Sequence, residues 1–243
     1  MDFTLSKYVE LLDALVGYDF ESLIMRHDVD LLPENSLRVA RIEAEKGLKG
    51  TFYFRAVPES WNEEVIRSIS ILGHEIGYHY ESLTTCNGDI DKAYEDFCRN
   101  LEALRDLVPV RSICMHGSPR SPFDSKDIWK EYDYHALGIE NEPYLDTDFS
   151  HVFYLTDTGR RWDGFKVSVR DKIPLYQDEW IARGLVFHTT DDVIEGLRER
   201  RIPKNLMITV HPQRWNPFGL SWGKEMLFQN AKNVVKRILI SKQ

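Results

Sequence analysis

The chain has 243 residues, 42% hydrophobic, 12% aromatic and 29% charged, an ordinary globular composition that supports a core and excludes wholesale disorder. Its 31 Lys and Arg against 39 Asp and Glu leave a net charge of −8, a field that repels nucleic acid and anionic membrane surfaces. Cys86, Cys98 and Cys114 form no CxxC pair, which argues against a disulfide framework or a thiolate zinc site and fits a reducing compartment.

The first sixteen residues alternate polar and apolar positions like a surface helix, without the basic-then-apolar order of a signal peptide. Ser22–His27 is an apolar run ending in charge at Arg26–Asp30. Pro33 then opens a helix with Leu37, Ala40 and Ala44 on one face, ended by Gly47. Gly50–Ala56 is a strand dense in Thr and aromatics. Asn62–Leu72 is helical with Val65, Ile69 and Leu72 on one stripe, and His74–Tyr80 is the next strand. Asp89 reads as the N-cap of a long helix whose Ala93, Tyr94, Phe97, Leu101, Leu104 and Val108 make the best amphipathic pattern in the chain.

Further on, Arg111–Met115 reads as a strand, Lys126–Glu131 as a short helix and Tyr134–Gly138 as a short strand. Val152–Leu155, Lys166–Val169 and Leu185–His188 also read as strands. Thr190 caps a helix to Arg200, Leu206–Val210 is the last strong strand, and Leu227, Ala231, Val234, Val235 and Ile238 mark a closing helix. No apolar run approaches the ~20 residues a membrane span needs, so a cytoplasmic chain is expected. Strands alternating with helices in one domain, residues 1–243, predict an α/β fold closed as a barrel. No glycine-rich phosphate loop follows any strand, which disfavours the open nucleotide-binding alternative.

Ionisable residues gather where apolar strands end: Asp28 and Asp30, His79 with Tyr80 and Glu81, His116, and His211 before Pro212. In parallel α/β proteins those ends converge on one mouth. Asp28 and Asp30, two apart, face the same way on a strand, and two adjacent carboxylates need a cation or a proton. The competing reading of that pair is a helix-capping turn before Pro33. His74 begins its strand facing away from the mouth and reads as a buried, hydrogen-bonded residue. Arg161 and Trp162 lie on a charged loop, where the indole either stacks on a sugar ring or anchors the core; Trp215 leaves the same two readings open.

These segments resemble divergent forms of the polysaccharide deacetylase motifs, carbohydrate esterase family 4. Arg26–Asp30 is similar to the family's first motif, Gly73–His79 to the lead-in of its second, and Leu206–His211 to its last, in the family's order. The resemblance implies a distorted (β/α)7-type barrel, Asp28 as catalytic base, Asp30 and His79 as metal ligands, and His211 as catalytic acid. The family's second metal histidine falls at Leu83, which cannot ligate; His116 is the expected replacement, with Glu81 second. The donor set suits Zn²⁺, and also Co²⁺ or Ni²⁺.

The implied activity is hydrolysis of an N-acyl group, N-acetyl above all, on a sugar or oligosaccharide precursor of a surface polysaccharide. Tyr80, Glu81, Arg161, Trp162 and Trp215 are the candidate substrate contacts. Two other readings remain open: a non-catalytic carbohydrate-binding relative with a degraded metal site, and a hydrolase of cyclic amides or ureides.

Overall fold

The computed structural model describes residues 1–118, 121–162, 171–219, 222–227 and 233. The strand expected at Lys166–Val169 and most of the closing helix lie outside them, although residues 222–227 are helical. Six strands are described: β1 (Ser22–Val29), β2 (Thr51–Phe54), β3 (Glu75–Tyr80), β4 (Val110–Met115), β5 (Phe153–Thr156) and β6 (Asn205–Val210). The α-helices are α1 (Leu5–Val16), α2 (Pro33–Glu45), α3 (Glu63–Ile71), α4 (Ser82–Thr85), α5 (Ile90–Arg105), α6 (Pro143–Asp146), α7 (Pro174–Ala182) and α8 (Thr190–Arg198). The strands pair in the order β4-β3-β2-β1-β6-β5, and the pairs β2–β3, β3–β4 and β5–β6 are parallel. This is the α/β fold that the alternation of strands and helices predicts. Among the described residues, no helix is long and apolar enough to cross a membrane.

Contacts divide the chain into two compact units, Met1–Arg26 with Glu45–Leu48 and Asp148–Gln243, and His27–Ala44 with Lys49–Thr147. In the first unit, α1 packs on α8 and buries Tyr8, Leu11, Leu12 and Leu15, its N-terminus capped by the Thr4 hydroxyl. In the second, α5 begins at the expected Asp89 cap, whose carboxylate accepts from the Lys92 amide. Its Ala93, Phe97, Leu101 and Leu104 are buried, each large side chain contributing roughly 1.5–3 kcal/mol.

Three expectations fail locally, and each failure has a hydrogen-bonding reason. Residues 134–138 are not a strand, because His135–Leu137 form a 3₁₀ turn in which the His135 amide bonds the Asp133 carboxylate and Gly138 closes at φ 71°. Leu185–His188 is not a strand either. The Leu185 amide closes α7 on the Trp180 carbonyl, and the His188 amide bonds Asp192 at 2.9 Å at the start of α8. The cap of that helix is Thr189 rather than Thr190, in a reciprocal box with Asp192.

Within the second unit the sheet has two chemically different faces, because side chains alternate along each strand. Ile76, Tyr78 and Tyr80 of β3 face one way, the two tyrosines onto Phe97 of α5. Gly77 and His79 face the other way. A Cβ at Gly77 would stand 2.4 Å from the Tyr53 ring and 2.9 Å from the Ser112 carbonyl, so only glycine lets Tyr53 cross β3 to bond Ser112 at 2.6 Å.

His27 points opposite to Asp28 and joins a buried cluster, its Nε2 2.7 Å from Glu43 and its ring stacked on Phe52. His74 lies in the same cluster as expected, with Nε2 2.9 Å from the Ala40 carbonyl and Nδ1 accepting from the Gly50 amide at 3.2 Å. Its imidazole is thus a neutral tautomer with the proton on Nε2. Burial, the largest influence, holds it below its ordinary value of 6.5, against the Ala40 bond and the charge of Glu43.

The unfolded chain therefore binds a proton near pH 6.5 that the folded chain refuses until lower pH. Stability from this group is full above that value and falls on acidification below it, by at most ~1.4 kcal/mol per pH unit. His74→Gln should flatten the slope of urea midpoint against pH between about pH 5 and pH 7; equal slopes in the two proteins would refute the assignment.

Candidate metal centre

Strand alternation in the second unit brings Asp28, Asp30, His79, Cys114 and His116 to one face. His79 and Cys114 are register partners across β3 and β4, and His116 lies two residues beyond Cys114, held by its amide bond to the Tyr80 carbonyl at 2.8 Å. The His79 Nε2 stands 3.7 Å from Asp28 Oδ2 and 3.7 Å from Asp30 Oδ1, and the His116 Nε2 stands 3.5 Å from the same Asp30 oxygen. These separations are too long for hydrogen bonds. They approach the ~3.3 Å spacing of donor atoms around a tetrahedral ion with bonds of about 2.0–2.1 Å.

The outer partners of both imidazoles point to the same use. The His79 Nδ1 lies 2.9 Å from the Cys114 carbonyl, which can only accept, so the proton sits on Nδ1 and the lone pair on Nε2. The His116 Nδ1 likewise donates to Glu81 Oε2 at 3.0 Å. A metal-binding imidazole is held this way, its second nitrogen tied to a carbonyl or carboxylate that fixes the tautomer and the ring plane.

Glu81 is positioned in turn by Arg55, whose Nε and Nη2 reach Oε1 at 3.0 and 2.6 Å while Nη1 donates to the Asp30 carbonyl at 3.1 Å. Burial would raise the Glu81 carboxyl, but the His116 bond and charge and the Arg55 guanidinium outweigh it and bring it down to about 2. Both Glu81 oxygens are engaged, Oε1 by Arg55 and Oε2 by His116. Asp30, His79 and His116 each offer a ligand atom, all within 4.8 Å of one another; so do Asp28, His79 and Cys114. The donor chemistry of either trio fits a divalent first-row ion.

Leu83, at the position where the resemblance expects a second histidine, is turned by α4 into an apolar cluster with Ala93 and Ile128. Tyr80 is fully buried on the opposite face of β3, its hydroxyl donating to Glu142 at 3.2 Å and accepting from the Trp129 indole at 2.8 Å. Its expected substrate contact is therefore corrected: β3 alternation sends Tyr80 away from His79. Cys114 went unrecognised in the sequence, although counting back two from His116 along β4 reaches it.

The first unit holds a separate cluster around Asp157, directly after β5. Asp157 Oδ1 accepts from His211 Nδ1 and from Arg214 Nη1, both at 2.6 Å, and Oδ2 accepts from the His211 amide at 3.0 Å and the Trp215 indole at 2.9 Å. Burial pushes this carboxyl up, but the charges of Arg214 and His211 outweigh it and keep Asp157 ionised. The His211 Nδ1 is thus tied to the Asp157 carboxylate, with Arg214 Nη1 also 3.0 Å from it.

Asp171, held low by Arg26 and His211 against its own burial, accepts from Thr156, Thr158 and Tyr154. Trp162 and Trp215 are fully buried beside Phe3, and the Trp162 indole donates to Thr190 at 3.0 Å, so both do the packing of their two readings and neither reaches solvent to stack on a sugar. Arg161 remains partly exposed, its Nη2 2.5 Å from His188 Nδ1.

No protein-family model matches the sequence, and no curated protein matches it. Solved structures to which the chain is similar include BA3943 of Bacillus anthracis, described as a CE4 family pseudoenzyme, at 14% identity and TM-score 0.42; a mutant of it at 15% and 0.41; and a mutant described as having restored enzymatic activity at 14% and 0.40. Each match covers 90% of this chain, which spans 62–64% of the length of those chains.

Proposed function

We propose that the protein is a metal-dependent hydrolase that removes an N-acyl group, in the first instance N-acetyl, from a sugar or a surface-polysaccharide precursor. The observation that carries this reading is the pair of imidazoles, His79 and His116, each tied through Nδ1 and each turning Nε2 towards Asp30. Asp30, His79 and His116 would hold the ion, which when bound polarises a carbonyl and acidifies water. Asp28, beside the ligands but outside that trio, takes the proton from the attacking water as general base. Arg55 and Glu81 keep His116 in its ligating plane. The motif resemblance gives His211, whose Nδ1 is tied to Asp157, the role of the acid that protonates the leaving amine. The unbridged Cys86, Cys98 and Cys114 support a cytoplasmic setting and hence a precursor as substrate.

The motif resemblance supplies the N-acyl sugar as substrate class. The test is hydrolysis of N-acetyl sugars with added Zn²⁺, Co²⁺ or Ni²⁺. Asp28→Asn should bind the ion yet lose about 10²–10⁴-fold in kcat, the usual worth of a positioned base. Equal rates in the two proteins would remove Asp28 from the mechanism. One observation favours a second reading, a non-catalytic carbohydrate-binding relative: Leu83 packs in an apolar cluster where the resemblance expects a ligand. That reading predicts glycan binding with no bound metal.

A further inference from the structure

We propose that Cys114 is a metal ligand, and that two mutually exclusive ion positions sharing His79 decide whether the centre can hydrolyse anything. The outer position is made by Asp30, His79 and His116, and the inner one by Asp28, His79 and Cys114. The proposal rests on the metal-dependent reading above and refines it. Three observations support it.

The first is geometric. Cys114 is the register partner of His79 on the neighbouring strand, so both side chains leave the sheet on the same face, and a thiol sulfur, a ring nitrogen and an Asp28 oxygen lie within 4.8 Å of one another. The second concerns the imidazole. Nδ1 of His79 is committed to the Cys114 carbonyl, so Nε2 is its one ligating nitrogen and cannot serve two ions at once. The third is burial. The Asp28 and His79 side chains keep 5% and 1% of their surface and Cys114 is fully buried, whereas the Asp30 and His116 side chains keep 22% and 18%.

An outer ion therefore meets solvent and leaves Asp28 off the metal, the open arrangement that catalysis needs. An inner ion is enclosed and takes Asp28 as a ligand, so the base is lost. As the inner ion binds, the thiol releases its proton to solvent, a sulfur–metal bond forms, and the ion sheds water. Ligand softness then sorts the ions. Thiophilic ions move inward to the sulfur, and ions preferring oxygen and imidazole stay outside. The centre thus distinguishes metals by position as well as by affinity, and thiophilic ions inhibit.

The experiment titrates the metal-free, full-length protein with Cd²⁺ alone and with Mn²⁺ alone. Thiolate-to-metal charge-transfer absorption and X-ray absorption at the cadmium edge report whether sulfur is bound. The wild type should take up one Cd²⁺ with a sulfur neighbour. Cys114→Ala should lose that neighbour and bind Cd²⁺ at least ~10-fold more weakly, since even outer-shell losses cost 10–100-fold, while Mn²⁺ affinity stays within about twofold.

A wild-type protein that binds one Cd²⁺ through nitrogen and oxygen alone overturns this proposal and leaves the metal-dependent reading standing. A sulfur neighbour that persists in Cys114→Ala, and so comes from Cys86 or Cys98, also overturns it alone. A wild-type protein that binds neither ion overturns both. The wild-type spectrum decides without any variant, so poor folding of Cys114→Ala would not shelter the proposal.

Discussion

His79→Ala should abolish metal binding and reduce hydrolysis to background. His79 is the one residue common to both ligand trios, so no rearrangement between them compensates for its loss. Outer-shell substitutions at metal centres already cost 10–100-fold in affinity, and removing a ligand from a three-residue set costs at least as much, about 10²-fold or more. The alanine also leaves the buried Cys114 carbonyl without the Nδ1 bond it accepts at 2.9 Å, which by itself costs about 1–3 kcal/mol.

His79→Asn separates the two effects. A side-chain amide can still donate towards that carbonyl, but its remaining oxygen sits on too short a stem to replace Nε2. The expected result is a urea midpoint near the wild type's, with elemental analysis showing no retained metal. A His79→Asn protein that held metal as the wild type does would remove His79 from the centre and with it both ion positions.

The second large effect is on stability. Asp157 has no exposed surface and accepts four hydrogen bonds, from His211 twice, from Arg214 and from Trp215. Asp157→Ala leaves the Arg214 guanidinium buried without its carboxylate and three further donors, the His211 Nδ1 and amide and the Trp215 indole, without that acceptor. Breaking a buried pair from one side costs about 3–5 kcal/mol. At ~2–4 °C per kcal/mol for a chain of this size, the thermal midpoint should fall by roughly 6–20 °C.

Asp157→Asn should lie between, because its carbonyl oxygen can still accept while its amide nitrogen meets donors. The wild-type carboxyl lies below 3.8, so the stability it provides is present above that value and is lost as the pH drops beneath it. Both variants should lose this acid-side dependence. A midpoint for Asp157→Ala within experimental error of the wild type's would show that the cluster does not hold the unit together.

Cys114 carried a misleading signal in the sequence. Its lack of a CxxC partner argued against a thiolate site, yet the spacing that matters runs across two strands, His79 opposite Cys114, and not along one. The α5 cap at Asp89 and the buried stripe from Ala93 to Leu104 were readable directly, since a helix's period and its capping bond are local. The strand expected at Leu185–His188 misled for the opposite reason: Leu185 and Phe187 are buried, but the flanking helices claim its backbone donors. Trp162 and Trp215, read as either sugar platforms or core, were decided by Phe3 and Thr190, residues far away in the chain.

Read alone, the 243 residues and their charge of −8 established an α/β alternation and placed Asp28, Asp30, His79, His116 and His211 at strand ends. Apolar periodicity and its interruption by charge are properties of neighbouring residues, and a linear reading captures them. Folding decided which oxygens and nitrogens meet: Glu81 behind His116, Asp157 on His211, and Cys114 beside Asp28. Those contacts depend on strand register and on burial by distant segments, where low dielectric makes each polar pairing costly to leave unmade.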